Sequence, residues 1–121
     1  MGHPVAHFEV MGANPARLRE FYTGIFGWST KYPPRPDDPL EYTMISTGSS
    51  DQAIEGGIGK AQQGSRFLTF YVSVGDLAAT LAEVEARGGA TVLPPTQVGP
   101  AVAIAQFTDP DGNVVGLLRQ G

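Results

Sequence analysis

His7-Phe8-Glu9-Val10, followed by Asn14-Pro15 and closing on Gly27, is answered 62 positions later by Thr69-Phe70-Tyr71-Val72, Asp76 and Gly89. In each copy an alternating apolar run leads into a helix-capping residue, a helical stretch and a glycine. Residues 68–90 thus overlie residues 6–28, and self-similarity of that span means one supersecondary unit written twice. Function is expected where the two copies face each other.

The 121 residues suffice for one domain, so the copies read as halves of a single fold over 1–121. Repeat one is expected at about 4–59, a polar linker at 60–66 and repeat two at about 67–119. Hydrophobic residues make up 41% of the chain, enough for a buried core. The net charge is −4 and no Lys/Arg cluster exists, which argues against nucleic-acid or anionic-membrane partners. With no cysteine, disulfides, thiolate nucleophiles and Cys-ligated zinc are excluded, and a cytoplasmic setting is expected. No signal-peptide pattern precedes the first strand, and no apolar run approaches the roughly 20 residues of a membrane span.

Alternation predicts a first strand over 5–11, with Val5, His7, Glu9 and Met11 on one face. Asn14-Pro15 starts a helix that ends near Gly27 and carries Leu18, Phe21, Tyr22, Ile25 and Phe26 on one side. Short strands follow at 28–32, 42–47 and 53–59. Between the first two of these, Pro33–Pro39 is too proline-rich to hold a ladder. The second copy predicts a strand at 67–74 and a helix capped by Asp76, with Leu77, Leu81 and Val84 inward. Strands at 90–93 and 101–108, the tight turn Asp109-Pro110-Asp111-Gly112 and a last strand at 113–119 complete it. Each half therefore reads β-α-β-β-β.

A doubled βαβββ unit containing Phe21-Tyr22 and Ile25-Phe26-Gly27-Trp28, then Gly75-Asp76-Leu77, Gly88-Gly89 and Phe107-Thr108-Asp109-Pro110-Asp111-Gly112-Asn113, resembles the vicinal-oxygen-chelate superfamily. That group spans glyoxalase, bleomycin-resistance and extradiol-dioxygenase types. The resemblance implies an α+β fold in which two tandem modules form a cupped mixed sheet. It further implies up to four His or Glu metal ligands from the first and last strands of each module. His7 matches the first, seven residues before Asn14, whereas Thr69 stands at the equivalent place before Asp76. The last-strand position of module two falls on Gly116, four residues past Gly112, and its module-one counterpart is taken as Glu55. His7 and Glu55 alone are a thin donor set, so no metal cofactor is favoured. A nickel, zinc, manganese or iron ion held by these two residues is the alternative.

Alternation gives the cavity lining without a metal: His7, Glu9, Met11, Thr69 and Tyr71, joined by Glu55. Ala103, Ala105 and Phe107 are expected near Gly116 as a roomy apolar corner for a flat group, with Phe107 lining the cavity. Glu9 and Glu55 form a candidate acid–base pair. Pro33–Pro39 reads either as a lid offering Arg35 to an anion or as a stiff surface crossing. The leading functional expectation is a metal-independent small-molecule binder, with the ligand in the cup between modules and the chain pairing as a homodimer. A metal-dependent lyase or isomerase, or a dioxygenase-like enzyme, is the second reading, and a dimeric interaction module the third.

Overall fold

The computed structural model describes residues 2–62 and 66–120, so the expected linker at 60–66 lies partly outside the described residues, at 63–65. Eight strands and two helices follow one another as β1 (Val5–Gly12), α1 (Pro15–Phe26), β2 (Ser29–Tyr32), β3 (Thr43–Ser46), β4 (Glu55–Lys60), β5 (Phe67–Ser73), α2 (Leu77–Ala86), β6 (Ala90–Gly99), β7 (Val102–Thr108) and β8 (Val114–Gln120). The chain divides into two compact units, His7–Leu68 and Thr69–Gly121 with Met1–Ala6. Residues 2–6 thus join the later unit, where the Ser73 amide donates to the Pro4 carbonyl at 2.9 Å.

Both units are built alike. In the first, the strand order is β2-β3-β4-β1; in the second it is β5-β8-β7-β6. First and last strands of each pair in parallel, and the remaining neighbours are antiparallel. This is the mixed βαβββ sheet expected from the repeat. No helix among the described residues is long and apolar enough to cross a membrane.

The helix boundaries follow from their caps. Asn14 accepts a hydrogen bond from the Arg17 amide at 3.1 Å and Pro15 opens the first turn, while Asp76 accepts from the Ala79 amide at 3.0 Å. Helix α1 stops at Gly27, whose φ of +69° is the left-handed conformation that closes a last turn.

The faces of the two helices differ. Helix α2 buries Leu77 and Leu81 against Val74, Ala103, Ala105 and Leu117, with Val72 and Phe107 packed on that cluster. Each buried leucine contributes roughly 1.5–3 kcal/mol relative to exposure. The expected apolar side of α1 is covered only in part. Pro15 is its one buried residue, and Phe21, Ile25 and Phe26 are 55–59% exposed. Its inner rings instead join a surface-reaching stack, with Tyr22 lying parallel to Trp28 at 5.7 Å and Trp28 meeting Phe8 at 5.4 Å.

Strand β6 runs further than the sequence suggested, through Pro94-Pro95 to Gly99. It ends its unit's strand order, where a missing proline donor is tolerated, and its register with β7 slips between Leu93 and Thr96.

Candidate functional site

Parallel pairing of β1 with β4 sets His7 opposite Glu55, Glu9 opposite Gly57 and Met11 opposite Gly59. Because side chains alternate, these six positions share one face, and Phe8, Val10, Gly56 and Ile58 share the other. On the second face the Phe8 ring lies flat over Gly56, where any Cβ would collide with it. Glu9 and Met11 are buried and His7 is half-buried.

The glycines of β4 exist to admit a ring that sequence reasoning missed. A Cβ at Gly57 would overlap the Tyr42 phenol, and one at Gly59 would stand 2.8 Å from the same ring and 3.0 Å from the Met11 methyl. Tyr42 is laid there by the turn after the proline run. The Asp38 carboxylate accepts from the Leu40 and Tyr42 amides, each at 3.0 Å, and Glu41 adopts a positive φ of 47°. The Pro33–Pro39 segment thus ends in the turn that positions Tyr42, whereas Arg35 stays exposed. The signal available was Gly56-Gly57 and Gly59 in a strand, which mark a close approach by something large.

Tyr42 Oη lies 2.9 Å from His7 Nε2, and the two rings are nearly parallel at 6.5 Å. At the position paired with His7, Glu55 Oε2 accepts a charged hydrogen bond from Lys31 Nζ. Burial pushes the His7 pKa below its usual value; the Glu55 charge pulls the other way but does not reverse it. Its imidazole is therefore neutral at pH 7. The hydrogen bond to Glu55, foremost, raises the Lys31 pKa, so the ammonium persists.

The second unit answers differently. Thr69 is buried and donates to the Val114 carbonyl at 2.7 Å. Tyr71 is 3% exposed, lies over Gly116 and receives a hydrogen bond from the Gln106 amide at 3.0 Å. The register corrects the assignment of Gly116. Tyr71 pairs with Gly116 as Glu9 pairs with Gly57, so Gly116 is the counterpart of Gly57, and Val114 that of Glu55. The loop carrying Tyr42 makes the first unit longer, with 48 residues from Glu9 to Gly57 against 45 from Tyr71 to Gly116, and a fixed repeat offset fails beyond it.

Phe107 is a second correction. It pairs with Val115, on the opposite face from Tyr71, Gly116 and Gln106, and packs into the α2 core with Ala103 and Ala105. Among the described residues the space over Gly116 is taken by the Tyr71 ring on one face and by the core on the other.

The donor set does not fit a divalent ion. Among the described residues no three His, Cys, Asp or Glu side chains gather as a ligand group. His7 Nε2 is engaged by Tyr42, Glu55 Oε2 by an ammonium that would repel a second cation.

The family model of the Glyoxalase/Bleomycin resistance protein/Dioxygenase superfamily matches residues 5–117. The chain is 32% identical over 111 residues to the Putative glyoxylase CFP32 of Mycobacterium tuberculosis, covering 90% of this chain and 42% of that one. It is 28% identical over 128 residues to the Anthracycline biosynthesis protein DnrV of Streptomyces peucetius, covering 96% and 46%. The chain therefore spans less than half the length of these curated relatives, although it covers 88% of a Glyoxylase-like domain-containing protein of Didymella fabae at 29% identity. Among solved structures, methylmalonyl-CoA epimerase from Mycobacterium tuberculosis superposes with a TM-score of 0.71 at 16% identity, over 97% of this chain and 87% of that one. At that identity the likeness is one of fold.

Proposed function

We propose, for a chain that belongs to the Glyoxalase/Bleomycin resistance protein/Dioxygenase superfamily, that it binds a small molecule on the β1/β4 face of its first unit without the help of a metal. One observation carries this reading: a neutral, half-buried His7 held by Tyr42 stands beside an internally balanced Glu55–Lys31 pair. The face offers hydrogen-bonding groups and the flat Tyr42 ring, and the charge of its Glu55 is balanced by Lys31. It suits an uncharged or weakly charged aromatic ligand better than a phosphate, glutathione or CoA group. Relatives named for anthracycline biosynthesis make polycyclic aromatic compounds the first class to screen.

The test is thermal stabilisation against such a panel in metal-free buffer, since a ligand that binds only the native state raises Tm. A hit whose effect is lost in His7→Ala and weakened in Tyr42→Phe supports the reading. Binding unaltered in both variants contradicts it.

An acid–base role in a lyase or isomerase is the second reading. The observation favouring it is that His7, neutral at pH 7, can accept a proton and lies in hydrogen-bond contact with a phenol. Glu9 and Glu55 are less suited as the acid–base pair, because Glu55 is already bonded to Lys31. We also propose a cytoplasmic protein that pairs with a second copy. The exposed Phe21, Ile25 and Phe26 of α1 form an apolar face of the kind that symmetric pairs bury. Sedimentation of Phe21→Glu alongside the wild type checks the pairing: the variant is expected to be monomeric, and an unchanged dimer would place the contact elsewhere.

A further inference from the structure

The pairing of β2 with β3 is irregular at one place. Thr30 opposes Ile45 and Tyr32 opposes Met44, so Lys31 is an extra residue with no partner position in the ladder. Such a bulge re-aims the side chain it carries. Here it brings Lys31 Nζ onto Glu55 Oε2, across β3, and also over the Tyr32 ring at 5.8 Å. Glu55 itself is placed by the β1/β4 register directly opposite His7. The imidazole and the carboxylate are the nitrogen and oxygen donors that a divalent ion would use on this face, yet each is engaged by another side chain.

We infer that Lys31 is the resident cation of this face: the bulge in β2 holds its ammonium on Glu55, where it balances the carboxylate and keeps divalent ions away from the His7–Glu55 pair. The ammonium has three N–H donors and Glu55 uses one of them, which leaves donors for an acceptor oxygen of a bound molecule, such as a carbonyl or enol. This second role rests on the small-molecule reading above; the exclusion of divalent ions does not.

Titration calorimetry with nickel, zinc and manganese chlorides separates the two. Wild-type protein is expected to show no His7-dependent binding of any of the three. Lys31→Met, which keeps the length of the side chain and removes its charge, is expected to bind at least one of them about tenfold more tightly, and the further change His7→Ala to abolish the gain. Because Lys31 is part-exposed, the variant should fold, and Lys31→Gln serves as a second uncharged form. One ion per wild-type chain bound through His7 would overturn the inference, as would folded Lys31→Met and Lys31→Gln proteins with no gain in affinity. Failure of the small-molecule reading would appear elsewhere, as a ligand panel that stabilises nothing while the metal titrations still behave as expected.

Discussion

In the first unit a tyrosine ring reaches the glycines of the last strand from the residue just before β3, on the side away from β1; in the second, the tyrosine stands on the facing first strand itself. Tyr42 covers Gly57 and Gly59 from the end of the proline-rich loop, whereas Tyr71 covers Gly116 from the position directly opposite. The packing problem is the same, a ring laid flat on a Cβ-less strand. Its origin decides what else fits. Where the ring comes from outside the strand pair, the first strand keeps His7 and Glu9 and the last keeps Glu55. Where the ring is on the strand, Thr69 is tied to the Val114 carbonyl and no carboxylate or imidazole stands among the paired residues of that face. The sheet and its capping signals are common to both copies, while the first, three residues longer between the paired positions, carries the polar face.

The sharpest way to break this comparison is to place a methyl group under each ring. At Gly116 a Cβ would strike the inner edge of the Tyr71 ring, near its attachment, so the ring cannot swing aside; at Gly57 it would strike the hydroxyl end of Tyr42. Gly116→Ala is expected to destabilise the protein by about 2–3 kcal/mol and Gly57→Ala by only about 1 kcal/mol. Urea unfolding measures both, and equal costs would deny that the rings are held differently.

A smaller effect is expected from Tyr42→Phe, which removes the partner of His7 and leaves the ring in place. It should cost about 1 kcal/mol in stability and shift the His7 imidazole resonances, while Tyr71→Phe should leave those resonances unmoved. Behind the first unit's sheet, Thr43 is fully buried and its hydroxyl has no hydrogen-bond partner among the described residues. Thr43→Val should therefore raise stability by up to about 1 kcal/mol, read as an increase in the urea midpoint.

The smallest expected effect is one of pH. The folded-state pKa of His7 lies below its unfolded value near 6.5, so the unfolded chain binds the extra proton first as pH falls. The contribution of neutral His7 is complete above pH 6.5 and is lost as pH drops through the folded pKa. His7→Gln should flatten the stability profile in that window, and an unchanged slope would place the responsible group elsewhere.

Much of the architecture was readable from local signals. Asn14-Pro15, Asp76 and Gly27 act through their immediate neighbours, so the helices begin and end where those residues dictate. Alternation in β1 put His7, Glu9 and Met11 on one face for the same reason. What escaped depended on register and on distance. Tyr42 meets His7 across 35 residues of sequence, through an Asp38 turn that alternation cannot see. Lys31 reaches Glu55 only because of a bulge, and bulges leave no fixed mark in a four-residue strand. Gly116 and Glu55 both lie in the last strand of their copy, but which positions correspond depends on the pairing with β5 and β1, and the three extra residues of the first unit keep it from being read by counting. Phe107 was placed by its nearness to the Asp109–Gly112 turn, but parity along β7 puts it in the α2 core. The exposed rings of α1 escaped because an apolar stripe specifies a face to be covered and not what covers it.

The central claim is that small-molecule recognition resides at His7 in the first unit. The imidazole spectrum tests it most directly, recorded while a polycyclic aromatic ligand that raises Tm is titrated into metal-free protein, with the exposed His3 as internal reference. The account predicts that the His7 resonances move saturably with the ligand and that those of His3 stay fixed. Ligand binding that saturates while His7 remains unmoved would contradict it.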